Sequence, residues 1–395
     1  MNMINVLSGL LTLVVILGIS YIVSEDRKSI NWRTVFAGLL GQVFIIFFVT
    51  KIPLGQKVLE LLALGVNNVI QMGMEGVIFV FGDLATGPMI FAISVLSLLV
   101  FTSALMSALY FLKVIPFFVK VIGVTIAKFM GTSKIETFAA VGNSFLSGTE
   151  APLLIRPYLS KLTKSELFAV MCGGFGSASA AILAGYSMMG IDMRYLLIAV
   201  FTVPFSSLMI SKMFIPETEQ SLVENGEIVA SEHDNIFSAI GEGANTGKDL
   251  ALSVGACLIA FLGLVAMING ALSLLGTDLN QILGRLLSPV AHLLTIPREE
   301  VQAFSSLLGV KTVVNEFAAY SSMAEVIPTL SQRTVIILSV ILCNFANFSV
   351  IGIQIGGFSI LAPERKNEVA KLGLKALCVG FLATLSTGAI IGMLF

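Results

Sequence analysis

The chain has 395 residues, 56% of them apolar and only 12% charged, with a formal net charge of −1 and a mean hydropathy of +0.96. A water-soluble domain with a polar surface does not reach such values, so lipid is the expected solvent. Without a block of Lys and Arg long enough to follow a phosphate backbone, nucleic-acid binding is excluded.

In chain order, the run from Met3 to Val23 is apolar and its basic residues, Arg27, Lys28 and Arg33, follow it. A cleavable signal peptide has the reverse charge order, which predicts a retained first span. A bilayer core needs about 20 apolar residues per helix, and full-length candidates fall near 3–24, 34–50, 88–112, 166–190, 195–213, 249–275, 334–358 and 371–394. Shorter or interrupted apolar stretches lie at 55–82, 114–130, 134–160, 280–296 and 298–326. The first, second and fourth of these read as interfacial or amphipathic helices. The third and fifth have polar or turn-forming residues between two apolar arms: Gly142 to Pro152 in one, Lys311 to Glu316 in the other. That pattern predicts re-entrant hairpins, whose non-helical tips are tolerated at membrane depth only inside protein or along a wet cavity.

The expected fold is therefore all-α and polytopic, with about eight transmembrane helices and two re-entrant hairpins. The domain reading is N-terminal spans with an interfacial helix over 1–85, a first repeat over 86–215, a cytoplasmic linker over 216–247 and a second repeat over 248–395. Placing most Lys and Arg in the cytoplasm puts both termini outside, and the hairpins then enter from opposite faces. Each is followed by a span with a small, polar middle, Gly173 to Gly185 and Asn344 to Gly357. Two such units in inverted topology place a solute site near the midplane in many secondary transporters.

Four cysteines, Cys172, Cys257, Cys343 and Cys378, stand far apart in apolar runs as packing residues, predicting neither disulfide nor metal site. His233 and His292 have no second His or Cys at ligand spacing. No His or Lys is placed to activate Ser147 or Thr149, which speaks against an enzyme. A channel would need a ring or filter of repeated groups, whereas the two tips differ.

Glu150 and Glu316 carry the functional argument, because an ionisable group at membrane depth costs roughly 2.5–3.5 kcal/mol and persists mainly where it works. Lys311 could neutralise Glu316 in a salt bridge, and Arg156 is the cation near Glu150. An anionic solute would call for Arg or Lys at the tips; carboxylates with Asn, Ser and Thr suit a neutral solute rich in hydroxyl and N–H donors. Phe145, Phe317, Phe345 and Phe348 flank the same stretches and could stack on a flat ring, although core packing accounts for any one of them.

At these residues the sequence resembles the concentrative nucleoside transporter family. The resemblance is carried by Gly148 to Leu159, Glu166 to Met171, Leu183 to Tyr186, Asn315 to Phe317, and Phe345 to Ser349 with Ile351 and Gly352. It implies a homotrimer in a bacterial inner membrane. Each protomer would have scaffold and transport subdomains, and elevator-like movement would be driven by a sodium or proton gradient with no other cofactor. Carried over by position, base contacts fall at Ser147, Gly148, Thr149, Glu150 and Ile182, and ribose contacts at Glu316, Asn347 and Val350. Sodium ligands fall at Asn143, Leu146, Ser177 and Ala178. Two departures stand out. Gly148 replaces a glutamine common at the first tip, leaving room that favours a purine nucleoside, and Val350 replaces a serine, removing a ribose hydroxyl contact. Asn143 and Ser177 favour sodium, while a proton on Glu150 or Glu316, or a nucleobase as cargo, stays open.

Overall fold

The computed structural model describes residues 3–87, 90–223, 226–229 and 233–395, without the side chain of Cys257. The start of the expected 88–112 span, parts of the 216–247 linker and the packing role of Cys257 thus lie outside the described residues. In chain order the helices are α1 (Met3–Val23), α2 (Trp32–Lys51), α3 (Pro53–Phe81), α4 (Asp83–Thr86), α5 (Ser97–Phe111), α6 (Val114–Met130), α7 (Lys134–Gly142), α8 (Lys164–Gly176) and α9 (Ala180–Met188). They continue with α10 (Met193–Phe214), α11 (Ile236–Ser273), α12 (Leu279–Leu293), α13 (Val301–Val313), α14 (Glu316–Val326), α15 (Gln332–Ile341), α16 (Phe348–Leu361) and α17 (Lys366–Leu394).

Side-chain ties sort the helix ends onto two faces. On one, the terminal face, the Lys51 ammonium donates to the Leu394 carbonyl (2.7 Å), Arg333 donates to Gly392 and Leu294, and Ser8 meets Thr295. On the opposite, distal face, Glu25 pairs with Lys164 (2.6 Å) and Lys375 (2.7 Å), and Arg365 donates to the carbonyls of Leu159 and Leu162. Both chain ends thus share one face, and the number of net crossings is even.

Among the described residues eight helices have the length and apolarity to cross a membrane, but they are not the expected eight. The 334–358 stretch is two shorter helices, α15 and α16, separated at 342–347. The 55–82 stretch, expected as an interfacial helix, is the 29-residue α3 and qualifies by length and composition. Its neighbours restrict it nonetheless. α2 delivers the chain to the terminal face, Asn67 of α3 accepts from Ser187 at the end of α9 (3.3 Å), and a Cβ on Gly185 of α9 would meet Val95, just before α5. Between α2 and α5 the chain makes no net crossing.

A second difference concerns the 216–247 linker, because α11 begins at Ile236 and runs 38 residues. Asn245 and Thr246 suggest a loop, but Gly243 and Gly247, four apart, let α11 lie directly on α5. A Cβ on Gly247 would sit 2.5 Å from the Leu99 carbonyl oxygen, and one on Gly243 2.6 Å from Ser107 Cβ. Small residues at this spacing drive close packing in lipid. At about 57 Å, α11 exceeds a hydrocarbon core of about 30 Å, so it must tilt or protrude.

Two hairpins follow the expected pattern. The first, α7 with a 3-10 segment Ala151–Lys161, starts and returns on the distal face; Pro152 and Pro157 keep the return leg from becoming α-helical. Its base is held by Lys212 of α10, whose ammonium is 2.6 Å from Glu136 and 3.3 Å from Glu217 and donates to Ser165. The second, α13 and α14, starts and returns on the terminal face, where the Glu300 carboxylate accepts from both the N–H and the hydroxyl of Ser331 (2.7 and 2.9 Å).

Two predictions follow from these contacts. Gly247→Leu forces α11 off α5, an overpacking cost of about 1–3 kcal/mol, read as a lower melting temperature in detergent; an unchanged melt refutes the close approach. Burial opposes the charge on Glu25, yet the hydrogen-bonding ammonium groups of Lys164 and Lys375 outweigh it and hold the carboxyl below its usual range. Stability from a depressed carboxyl is present above the unfolded value and lost as pH falls through the folded one. Glu25→Gln should therefore lower the melting temperature slightly at neutral pH, about 0–1 kcal/mol for such exposed pairs, and the gap should close in acid.

Candidate functional site

The first tip is built on the end of α7. A capping box between Ser133 and Glu136 starts that helix, and after Gly142 the chain turns through Asn143 to Glu150. The Glu150 carboxylate accepts from the Ser147 N–H (2.9 Å), while the Ser147 and Thr149 hydroxyls lie 3.2 Å apart. Glu150 is half-buried, its carboxylate folded back over its own turn. Arg156 is exposed, on the return leg.

α8 and α9 form one crossing that opens at Ser177 to Ser179, whose terminal members are extended. α15 and α16 form another, open between Leu342 and Asn347. The two openings touch: the Phe345 N–H donates to the Ser177 carbonyl (3.2 Å). The Ser177 hydroxyl donates to the Asn143 carbonyl (2.7 Å), so the first tip joins the same centre. Asn344 secures the second opening to α17 by donating to the Gly380 carbonyl (2.7 Å).

Asn143 and Ser177, two of the expected ion ligands, are thus in direct contact, and Leu146 and Ala178 are buried beside them in sequence. Asn143 donates its amide N–H to Ala139, but its Oδ1, in a fully buried residue, accepts nothing. A buried acceptor without a donor carries a desolvation cost of about 1–3 kcal/mol. With carbonyls freed by the α8–α9 opening, it fits the oxygen-only shell of a hard monovalent cation.

At the second tip, Asn315 is extended and caps α14 by accepting from the Ala318 N–H, which places Glu316 in the first helical turn. Asn347 caps α16 in the same way, its Oδ1 accepting from the Val350 N–H (3.2 Å) and the Ser349 hydroxyl (2.6 Å). Its amide N–H is then free to donate to Glu316 (3.1 Å). Two helix N-termini converge on one carboxylate, a favourable location for negative charge. Glu316 is 4% exposed and does not pair with Lys311; the Lys311 ammonium donates to the Ile341 carbonyl at the end of α15 (3.1 Å) and lies over the Phe381 ring. The carboxylate therefore keeps acceptor capacity for a hydroxyl-bearing ligand.

The other expected residues divide. Val350 is buried one turn beyond Asn347, and Ile182 is buried in the first turn of α9. Phe317 is no open platform: it packs edge-on against Phe91 and Tyr186, while Phe345 and Phe145 are partly exposed and Phe348 is 49% exposed. The sequence reading missed Gln354, a buried amide whose signal was its isolation in an apolar helix seven residues after Asn347. Among the described residues no group of His, Cys, Asp and Glu could hold a metal, and Cys172, Cys343 and Cys378 are free.

Three family models tile the chain: "Na+ dependent nucleoside transporter N-terminus" over residues 11–84, "Nucleoside recognition" over 92–193, and "Na+ dependent nucleoside transporter C-terminus" over 195–392. The chain belongs to the concentrative nucleoside transporter family. Among its relatives are the nucleoside permease NupC of Helicobacter pylori, 37% identical over 95% of this chain and 94% of the relative, and sodium/nucleoside cotransporter 1 of Rattus norvegicus, 34% identical over 94% and 61%. The structure superposes on CNTnw in an inward-facing, substrate-bound state with a TM-score of 0.95 at 41% identity, covering 98% of each chain. Members of this family are membrane transporters for nucleosides, not enzymes.

Asn347→Ala strands Glu316 without its donor and uncaps α16. Uptake in this variant should fall at least about tenfold, equivalent to 1.4 kcal/mol, with the melt reduced by no more than a few degrees; undiminished uptake would remove Asn347 from the site.

Proposed function

We propose that the protein is a sodium-coupled symporter that imports nucleosides, purine nucleosides in preference, across a bacterial inner membrane. The observation that carries the reading is the convergence of the α14 and α16 N-termini on Glu316 and Asn347. A carboxylate and an amide side by side in a protein interior recognise the vicinal hydroxyls of a ribose. Ser147, Thr149 and Glu150 offer hydroxyl and carboxylate groups at the first tip for the base, with Ile182 as an apolar wall.

Sodium is favoured over a proton by the unsatisfied Asn143 Oδ1 and the adjacent opened backbone. Held by Asn143, Ser177 and the carbonyls of Leu146 and Ala178, the ion would draw the first tip onto the α8–α9 opening and so organise the base subsite. Ion and solute would then bind cooperatively, because each completes surroundings that the other needs. Gly148 does not itself open space at the tip, since a Cβ there would stand 2.8 Å from Gln354 Nε2 and from the Gly174 Cα; the purine preference rests on the absence of a glutamine side chain at that position. The same reading takes the hairpins and broken helices as a block that travels against a fixed part containing α5 and α11, in a homotrimer with both termini outside.

Uptake into proteoliposomes under imposed gradients tests the coupling. Uptake should require an inward sodium gradient, and Asn143→Ala should raise the sodium concentration for half-maximal rate about tenfold; uptake that follows an imposed pH gradient and ignores sodium replaces sodium with a proton. Competition then ranks the cargo: inosine and guanosine should displace labelled substrate more effectively than uridine and thymidine, and the reverse order ends the purine preference.

A further inference from the structure

Gln354 lies on α16 one turn past Val350 and two turns past Asn347, so the three share one face of the helix. Its side chain is 1% exposed and reaches the first hairpin, where the amide N–H donates to the Gly148 carbonyl (3.4 Å). Close approach is possible only because glycines surround it. A Cβ on Gly174 would be 2.2 Å from Gln354 Nε2, and one on Gly148 would be 2.8 Å from the same atom and 2.8 Å from the Gly174 Cα. Thr149 packs beside it on Gly357 of the same helix, where a Cβ would stand 3.0 Å from the threonine methyl. The other half of the amide, Oε1, is buried and accepts no hydrogen bond.

We infer that Gln354 is a specificity-determining residue that supplies, from the second repeat, the amide that Gly148 does not supply at the first tip. Its N–H is committed to the Gly148 carbonyl, which fixes the orientation of the amide and presents Oε1 as an acceptor. The matching ligand group is an N–H on the edge of the base, such as the lactam N–H of hypoxanthine or guanine or the imide N–H of uracil. A buried acceptor discriminates strongly, because a ligand that cannot donate to it leaves it unsatisfied. The position between the Ser147–Glu150 turn and the Asn347–Val350 stretch puts this acceptor at the base end of the site. The inference rests on the nucleoside reading above and adds to it a residue and a recognised group.

The test compares nucleosides with and without the N–H. In the wild-type protein, 1-methylinosine and 3-methyluridine should compete at least tenfold less well than inosine and uridine. In Gln354→Met, which keeps the length and volume of the side chain, inosine and uridine should weaken about tenfold while the methylated compounds change less than threefold, so that the methylation penalty disappears. Gln354→Ala, which cannot crowd the glycines, should give the same levelling if the Met variant fails to fold. A methylation penalty that persists undiminished in either folded variant makes Gln354 a brace between α16 and the hairpin and overturns the inference. So does the absence of any penalty in the wild type. Absence of nucleoside uptake by the wild type would instead overturn the functional reading itself.

Discussion

Opening a helix inside a membrane frees backbone groups that water cannot reach, and each must find a partner in the protein. This chain opens two, and the first opening satisfies the second: the Phe345 N–H donates to the Ser177 carbonyl. Everything at the site is organised around that contact. Ser177 ties it to the first tip through the Asn143 carbonyl, and Asn344 ties it to α17. Among the polar groups not consumed internally are the Asn143 Oδ1, the Ser179 hydroxyl and the Gln354 Oε1, and under the proposed function these are open to a cargo and its ion. Structure and recognition are therefore drawn from one inventory of polar groups.

Asparagine has a recurring part in that inventory. Asn315 and Asn347 each adopt an extended conformation, end an irregular stretch and start a helix with the side-chain oxygen. Asn347 does this with one half of its amide and holds Glu316 with the other. An aspartate at the same place could cap the helix but would repel the carboxylate, and a serine could not span both tasks. Gln354 works similarly across the repeats, with a donor fixed on one element and an acceptor left free.

Much of this was legible in the amino-acid sequence. Polar tips between apolar arms marked both hairpins, because the energetic penalty for such residues in lipid is steep, and the small, polar middles of the following spans marked both openings. Other features were not legible for physical reasons. Lys311 and Glu316 are five residues apart and invite an ion pair, but the tip between them turns the ammonium to the end of α15. The start of α11 was hidden because Asn245 and Thr246 look like a loop when the packing of Gly243 and Gly247 on α5 is unseen. Phe317 could be a stacking platform or core, and only its contacts with Phe91 and Tyr186 decide for core. A lone amide such as Gln354 acquires meaning only once the residue facing it is known.

The bases of the two hairpins have a mechanical consequence. Glu300 clasps Ser331 where the second hairpin begins and ends, and Lys212 grips Glu136 and Ser165 at the root of the first. Roots held in this way resist spreading, which opposes a flap-like swing of either tip about the surface. Under the proposed transport function, roots, tips and an enclosed molecule would then shift as one piece.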